Sequence, residues 1–206
     1  MKNSVVRHTR DRLALLAFVL VVAEVLLVIL SWLLSATRME GVRSLLSSEG
    51  IRWFFGSFET IVASPLLVWL LLLLSAFGCI QKSGSRIFIS RASFFISNFR
   101  DRLALRVAVV ILVVYITILA LLTLAPHAIL LSATGHLFPS AFSRSLVPAV
   151  AFGICLFSCT FGLMSGRLHS LADVLDALSS GIAHGAPLVI IYIFAIQLYA
   201  SLCFVF

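Results

Sequence analysis

Apolar residues in this chain gather into five long runs separated by short polar stretches. The runs cover roughly Leu13 to Ser35, Ile61 to Ile80, Leu103 to Ala125, Leu146 to Met164 and Pro187 to Phe206. Each is long enough to cross about 30 Å of hydrocarbon as a helix. Lipid offers backbone groups no hydrogen-bond partners, so all five are expected to be helical. Pro65, Pro148 and Pro187 fall in the first turns of their runs, where a missing N–H costs little.

Between the runs, two stretches carry a period near 3.6. In Arg86 to Arg100, polar Arg86, Ser90, Ser93, Ser97 and Arg100 oppose Phe88, Ala92, Phe95 and Phe99. In Leu168 to His184 the apolar set is Leu171, Val174, Leu175, Leu178 and Ile182. Ser170 followed by Asp173 resembles a capping box opening the second stretch. Both are expected to lie on the cytoplasmic membrane surface with the apolar face down. The same pattern would also serve an arm clamping a neighbouring subunit.

Several strings recur in order. Arg10-Asp11-Arg12-Leu13-Ala14-Leu15 returns as Arg100-Asp101-Arg102-Leu103-Ala104-Leu105. Leu45-Leu46-Ser47-Ser48-Glu49-Gly50 is echoed by Leu130-Leu131-Ser132-Ala133-Thr134-Gly135, Ser64-Pro65-Leu66 by Val147-Pro148-Ala149, and Phe77-Gly78 by Phe161-Gly162. The offset stays between 83 and 90. The expected fold is therefore an all-α integral membrane protein: five transmembrane helices built from a direct repeat of two spans plus a cytoplasmic amphipathic helix. One membrane domain covers 1–206, with repeat A at 10–99, repeat B at 100–185 and a final span at 187–206. A two-span unit enters the bilayer in the same sense each time.

Composition agrees. Of 206 residues, 62 % are hydrophobic and 11 % charged, where a soluble domain carries roughly a quarter charged residues. Mean hydropathy is +1.17. The net charge of +7 is distributed as an orientation signal and does not point to nucleic acid. Eleven basic residues lie before the first run, around the second connection (Arg106 just inside the third run) and in the fourth, against four (Arg38, Arg43, Arg52, Arg144) elsewhere. The positive-inside rule then places the N-terminus in the cytoplasm and the C-terminus in the periplasm of a bacterial inner membrane. An anionic leaflet is the expected partner of the basic segments. The first run exceeds twenty residues and closes on no small-residue cleavage pattern, so it is expected to stay as a span.

Polar residues at membrane depth are few. Glu24 stands at the middle of the first span, where an ionised carboxylate costs several kcal/mol unless paired, hydrated or protonated. It is either a proton or cation site or a glutamic acid bonding to a neighbouring helix. Gln197 lies halfway along the last span, with Tyr192 and Tyr199 near it, and Tyr115 lies in the third. Glu24 with Gln197 or Tyr115 would form a polar cluster if their helices touch, as interhelical glue or as a transport site. Trp53 and Phe54, beside Arg52, read as interfacial aromatic anchors. Cys155 and Cys159 share a helix face, but no His or second cysteine pair accompanies them in sequence, which favours packing over metal. His127 and His136 share one outer connection and read as solvated loop residues or as sensors of external pH. No nucleophile elbow, phosphate loop or H-E-x-x-H is present, so neither enzymatic activity nor a cofactor is expected.

One resemblance adds to this reading. The stretch Gly41 to Gly84 contains Leu45-Leu46-Ser47-Ser48-Glu49-Gly50-Ile51-Arg52-Trp53-Phe54, then an apolar span, then Gln81-Lys82-Ser83-Gly84. It resembles the early part of the p-aminobenzoyl-glutamate transporter (AbgT) family. The run Ser165-Gly166-Arg167 through Asp173-Val174 to Ala195-Ile196-Gln197-Leu198 resembles a later part of that family. The resemblance implies secondary transport of a small organic anion of the aminobenzoyl-glutamate type. Family members are longer and carry re-entrant hairpins with serine-, aspartate- and asparagine-rich motifs for sodium and substrate. Such motifs are missing here, so none of those residues carries over. The chain is expected to be a short, truncated member, either a homo-oligomeric transporter or a transport-inactive scaffold or accessory subunit beside a partner membrane protein.

Overall fold

A computed structural model describes residues 2–37, 41–85, 99–124 and 141–206. Within them lie seven helices: α1 (Lys2–Ala36), α2 (Ser48–Gly56), α3 (Phe58–Val62), α4 (Pro65–Ser83), α5 (Phe99–Leu124), α6 (Ala141–Ser165) and α7 (Leu171–Val205). The described residues contain no strand. Five helices, α1, α4, α5, α6 and α7, are long and apolar enough to cross a bilayer. Many of their large side chains point outward: Leu15, Phe18, Val25, Ile29, Val110, Ile116 and Phe152 are each about half exposed or more. That pattern fits hydrocarbon as the surrounding solvent. The protein is an all-α, multi-pass membrane protein.

The helix ends explain where the elements start and stop. Ser47 caps α2, its hydroxyl accepting from the Gly50 N–H at 3.0 Å. Ala63 N–H closes α3 on the Glu59 carbonyl at 2.8 Å, and Pro65 opens α4. The second span therefore begins at Pro65, and Ile61 belongs to α3. Gly84 and Gly166 follow α4 and α6 with φ of 72° and 75°, the left-handed geometry that ends helices and favours glycine. Gly166 sits in a tight terminator: Arg167 and Leu168 both donate to the Gly162 carbonyl, at 2.9 and 3.0 Å.

Two expectations need correction. Leu168 to His184 does not form a surface helix separate from the last span, because α7 runs unbroken for 35 residues from Leu171 to Val205. At 1.5 Å per residue it is about 50 Å long, well beyond the hydrocarbon thickness. The capping box at its start is present: His169 and Ser170 donate to Asp173 Oδ2 at 2.8 and 3.0 Å, and Asp173 N–H donates to Ser170 Oγ at 3.2 Å. Pro148 and Pro187 lie inside α6 and α7, not in their first turns. Each helix has already wound from upstream residues, and the ring removes one internal hydrogen bond. The amphipathic stretch Arg86 to Arg100 falls, but for its last two residues, outside the described residues. So do His127, His136 and the second copy of the Leu-Leu-Ser string.

The chain divides into two compact units, Met1–Leu70 with Gly185–Phe206, and Leu71–His184. The core of the first is Leu27, Leu45 and Val205, with Val28, Val42, Trp53, Leu198 and Phe204 against it. The second holds two clusters. Cys79, Leu168 and Ala177 pack with Cys155, Cys159, Val174 and Leu178. Ala104, Ala108 and Phe161 pack with Leu105 and Phe157 where α5 meets α6. The apolar set expected on 168–184 is thus split: Val174 and Leu178 turn into the core, while Leu171 and Leu175 remain exposed.

Candidate functional site

The polar seam of the first unit is built by α1 and α7. Apolar residues surround Glu24 on α1, and α7 places Ser201 against it. Ser201 is fully buried, and its hydroxyl donates to Glu24 Oε1 at 2.6 Å. Gln197 precedes Ser201 by four residues and so lies on the same helix face. It is 5 % exposed. Among the described residues, the buried side-chain nitrogens and oxygens without a hydrogen-bond partner are Glu24 Oε2, Gln197 Nε2 and Gln197 Oε1. The first unit therefore holds a carboxyl oxygen on α1 and, one turn from Ser201 on α7, a whole carboxamide that the protein leaves unpaired. Leaving such groups unmade costs about 1–3 kcal/mol each. A proton on Glu24 Oε2 or a cation held by the two oxygens would satisfy the acceptors, and a water could also accept from the Gln197 Nε2 donor.

The same unit has an open cleft of about 930 Å³. Arg43, Trp53, Tyr199, Cys203 and Phe204 are among its lining residues. Trp53 stacks on Phe204 with ring centroids 4.3 Å apart. The Arg43 guanidinium lies 6.0 Å from the Phe204 ring centroid, a cation–π distance. The Arg43 N–H donates to the Val205 carbonyl at 3.0 Å, tying this wall to the end of α7. The Leu-Leu-Ser-Ser-Glu-Gly string frames the wall. Leu45 is buried and its N–H donates to Ser31 Oγ at 3.1 Å, Ser47 caps α2, and Gly50 lies where a Cβ would strike the Leu45 carbonyl. A guanidinium beside stacked rings suits an anion that carries an aromatic group.

The remaining candidates have other partners. Tyr115 belongs to the second unit, where its hydroxyl donates to the Ala149 carbonyl at 2.9 Å and its ring meets Phe152 at 5.6 Å. It is committed to the α5–α6 contact. Tyr192 shares a 2.5 Å hydrogen bond with Ser64 and donates to the Val62 carbonyl at 3.3 Å. Phe54 meets Phe55 edge to face. Among the described residues no group of three or more His, Cys, Asp or Glu side chains is placed to hold a metal ion.

Residues 91–204 match the family model described as AbgT putative transporter family. The chain belongs to the AbgT transporter family. The match takes in the later stretch, Ser165 to Leu198, and begins after the earlier one at Gly41 to Gly84. Gln197 and Ser201 of the seam lie inside the matched part of this AbgT chain, and Glu24 and Arg43 before it. No curated protein and no solved structure matches the chain.

The residues missed from sequence were Ser201 and Arg43. Ser201 carried a usable signal, since it stands one helical turn from Gln197 on a span otherwise short of polar residues. Arg43 carried none beyond its charge, because its place beside Phe204 depends on a contact 161 residues away in sequence.

Proposed function

We propose that the protein takes part in secondary transport of a small organic anion, of the aminobenzoyl-glutamate type, across a bacterial inner membrane. In this reading Glu24 carries the coupling proton or cation and Gln197 orients it. The observation that carries the reading is the set of unpaired buried atoms on Glu24 and Gln197 in a chain of a transporter family. An ionisable residue at membrane depth that faces other helices is a marker of ion and proton paths. The Arg43 cleft supports an anionic solute with a ring. The distribution of Lys and Arg supports a cytoplasmic N-terminus and a periplasmic C-terminus. Assembly as a symmetric homo-oligomer would enlarge the site.

Uptake of radiolabelled p-aminobenzoyl-glutamate into proteoliposomes tests this. An imposed proton or sodium gradient is expected to drive uptake by the native chain, and Glu24→Gln to abolish the drive while the protein remains monodisperse. Uptake that ignores Glu24→Gln would overturn the coupling role. Absence of uptake under either gradient, with uptake appearing on addition of a partner membrane protein, would establish the accessory-subunit reading instead.

A further inference from the structure

Three of the four cysteines meet in the second unit. Cys79 comes from α4 and is 1 % exposed. Cys155 and Cys159 come from one face of α6 and are half-buried. Cys79 Sγ and Cys159 Sγ are 3.8 Å apart, in contact. Leu168, Val174, Ala177 and Leu178 pack the same cluster. The thiols face one another across a helix interface, 80 residues apart in sequence.

We propose that Cys79 and Cys159 form an oxidation site, at which an apolar hydroperoxide such as a lipid hydroperoxide converts the pair to a disulfide clipping α4 to α6. Cys159 is the more exposed partner and is the one lipid-borne oxidant meets first. Its sulfur takes the terminal oxygen as the O–O bond breaks, and the alcohol leaves with the thiol proton. The product is a sulfenic acid. The Cys79 sulfur then displaces the hydroxyl group, the S–S bond forms, and the Cys79 proton departs with the hydroxyl as water. The two thiols lose two electrons and the hydroperoxide gains them. A disulfide requires an S–S distance of about 2.0 Å, so the sulfurs, 3.8 Å apart, must close by about 2 Å. Proximity raises the effective concentration of the second thiol and favours the link over further oxidation.

The test uses the full-length chain in lipid nanodiscs, treated with cumene hydroperoxide and digested without reductant. The expected product is a peptide pair joining Cys79 to Cys159, reversible by dithiothreitol, accompanied by a rise in thermal stability. Cys155→Ser and Cys203→Ser should leave the link intact, and Cys79→Ser should leave Cys159 as a trappable sulfenic acid. Three results would overturn the proposal: both thiols remaining free, a link through Cys155 in the native chain, or over-oxidation of Cys159 without a link. Mapping on the native chain gives the answer even if a serine variant folds poorly.

Discussion

Gly78 of α4 and Gly181 of α7 stand backbone against backbone. A Cβ on Gly181 would overlap the Leu74 carbonyl and come within 2.7 Å of the Gly78 N–H. Both glycines are buried. Without a hydrophobic drive between helices in lipid, small residues that admit close approach are a principal source of association. This contact seats the first half of α7 on α4, and with it the cysteine cluster.

Enlarging that contact should separate the helices. Gly181→Leu is expected to destabilise the protein by about 1–3 kcal/mol through overpacking, with Gly181→Ala already measurable. Thermal unfolding in detergent reads the change. A Gly181→Leu protein as stable as the native one would show that the close approach is not a structural requirement.

Ser201→Ala should cost about 1–3 kcal/mol, since it leaves Glu24 Oε1 as well as the buried Oε2 without a partner. That exceeds the average of about 0.6 kcal/mol for hydrogen bonds between membrane helices. The double variant Glu24→Leu with Ser201→Ala removes donor and acceptor together and should recover most of the loss. Chemical denaturation of the three proteins distinguishes the cases, and equal loss in single and double variants would refute the pairing.

Arg167 should matter more than the aspartate it pairs with. Its Nη1 donates to the Ser83 carbonyl at 3.2 Å, its guanidinium lies 5.4 Å from the Phe161 ring centroid, and Nη2 meets Asp101 at 3.7 Å. The ion pair is partly exposed, so Asp101→Asn is expected to cost under about 1 kcal/mol. Arg167→Ala also uncovers the end of α4 and the face of Phe161, and should lower the melting temperature further. The reverse ranking would assign the contribution to the ion pair.

Arg43→Ala should weaken binding of p-aminobenzoyl-glutamate roughly tenfold or more, the worth of one hydrogen bond to a charged group. With Trp32 and Trp69 replaced by Phe, ligand-induced change in Trp53 fluorescence reports occupancy of the cleft. Unaltered affinity in Arg43→Ala would move the anion site elsewhere.

Much of the architecture was legible along the chain, for reasons visible in particular residues. All five spans were found because hydrophobic length is a local property. The capping box at Ser170 and Asp173 was found because it closes within four residues. The join between 168–184 and the last span was missed. Pro187 and Gly185 look like a break in sequence, yet α7 continues through them. Glu24 and Gln197 stood out through their cost in lipid. The grouping of Tyr115 with them was one of two alternatives, and the structure gives Tyr115 the Ala149 carbonyl instead.

Hydropathy and periodicity, which need no knowledge of neighbours, were enough to mark a helical membrane protein, the five helices long and apolar enough to span among the described residues, and the rarity of Glu24. Which helix meets which was beyond them. A 3.6-residue period assigns a side chain to a face but not to a partner, and contacts such as Ser201 with Glu24, or Cys79 with Cys159, join positions 177 and 80 residues apart. Those pairings arise from close packing of whole helix surfaces, where glycines set how near two backbones come and every polar atom competes for the few partners that lipid leaves available.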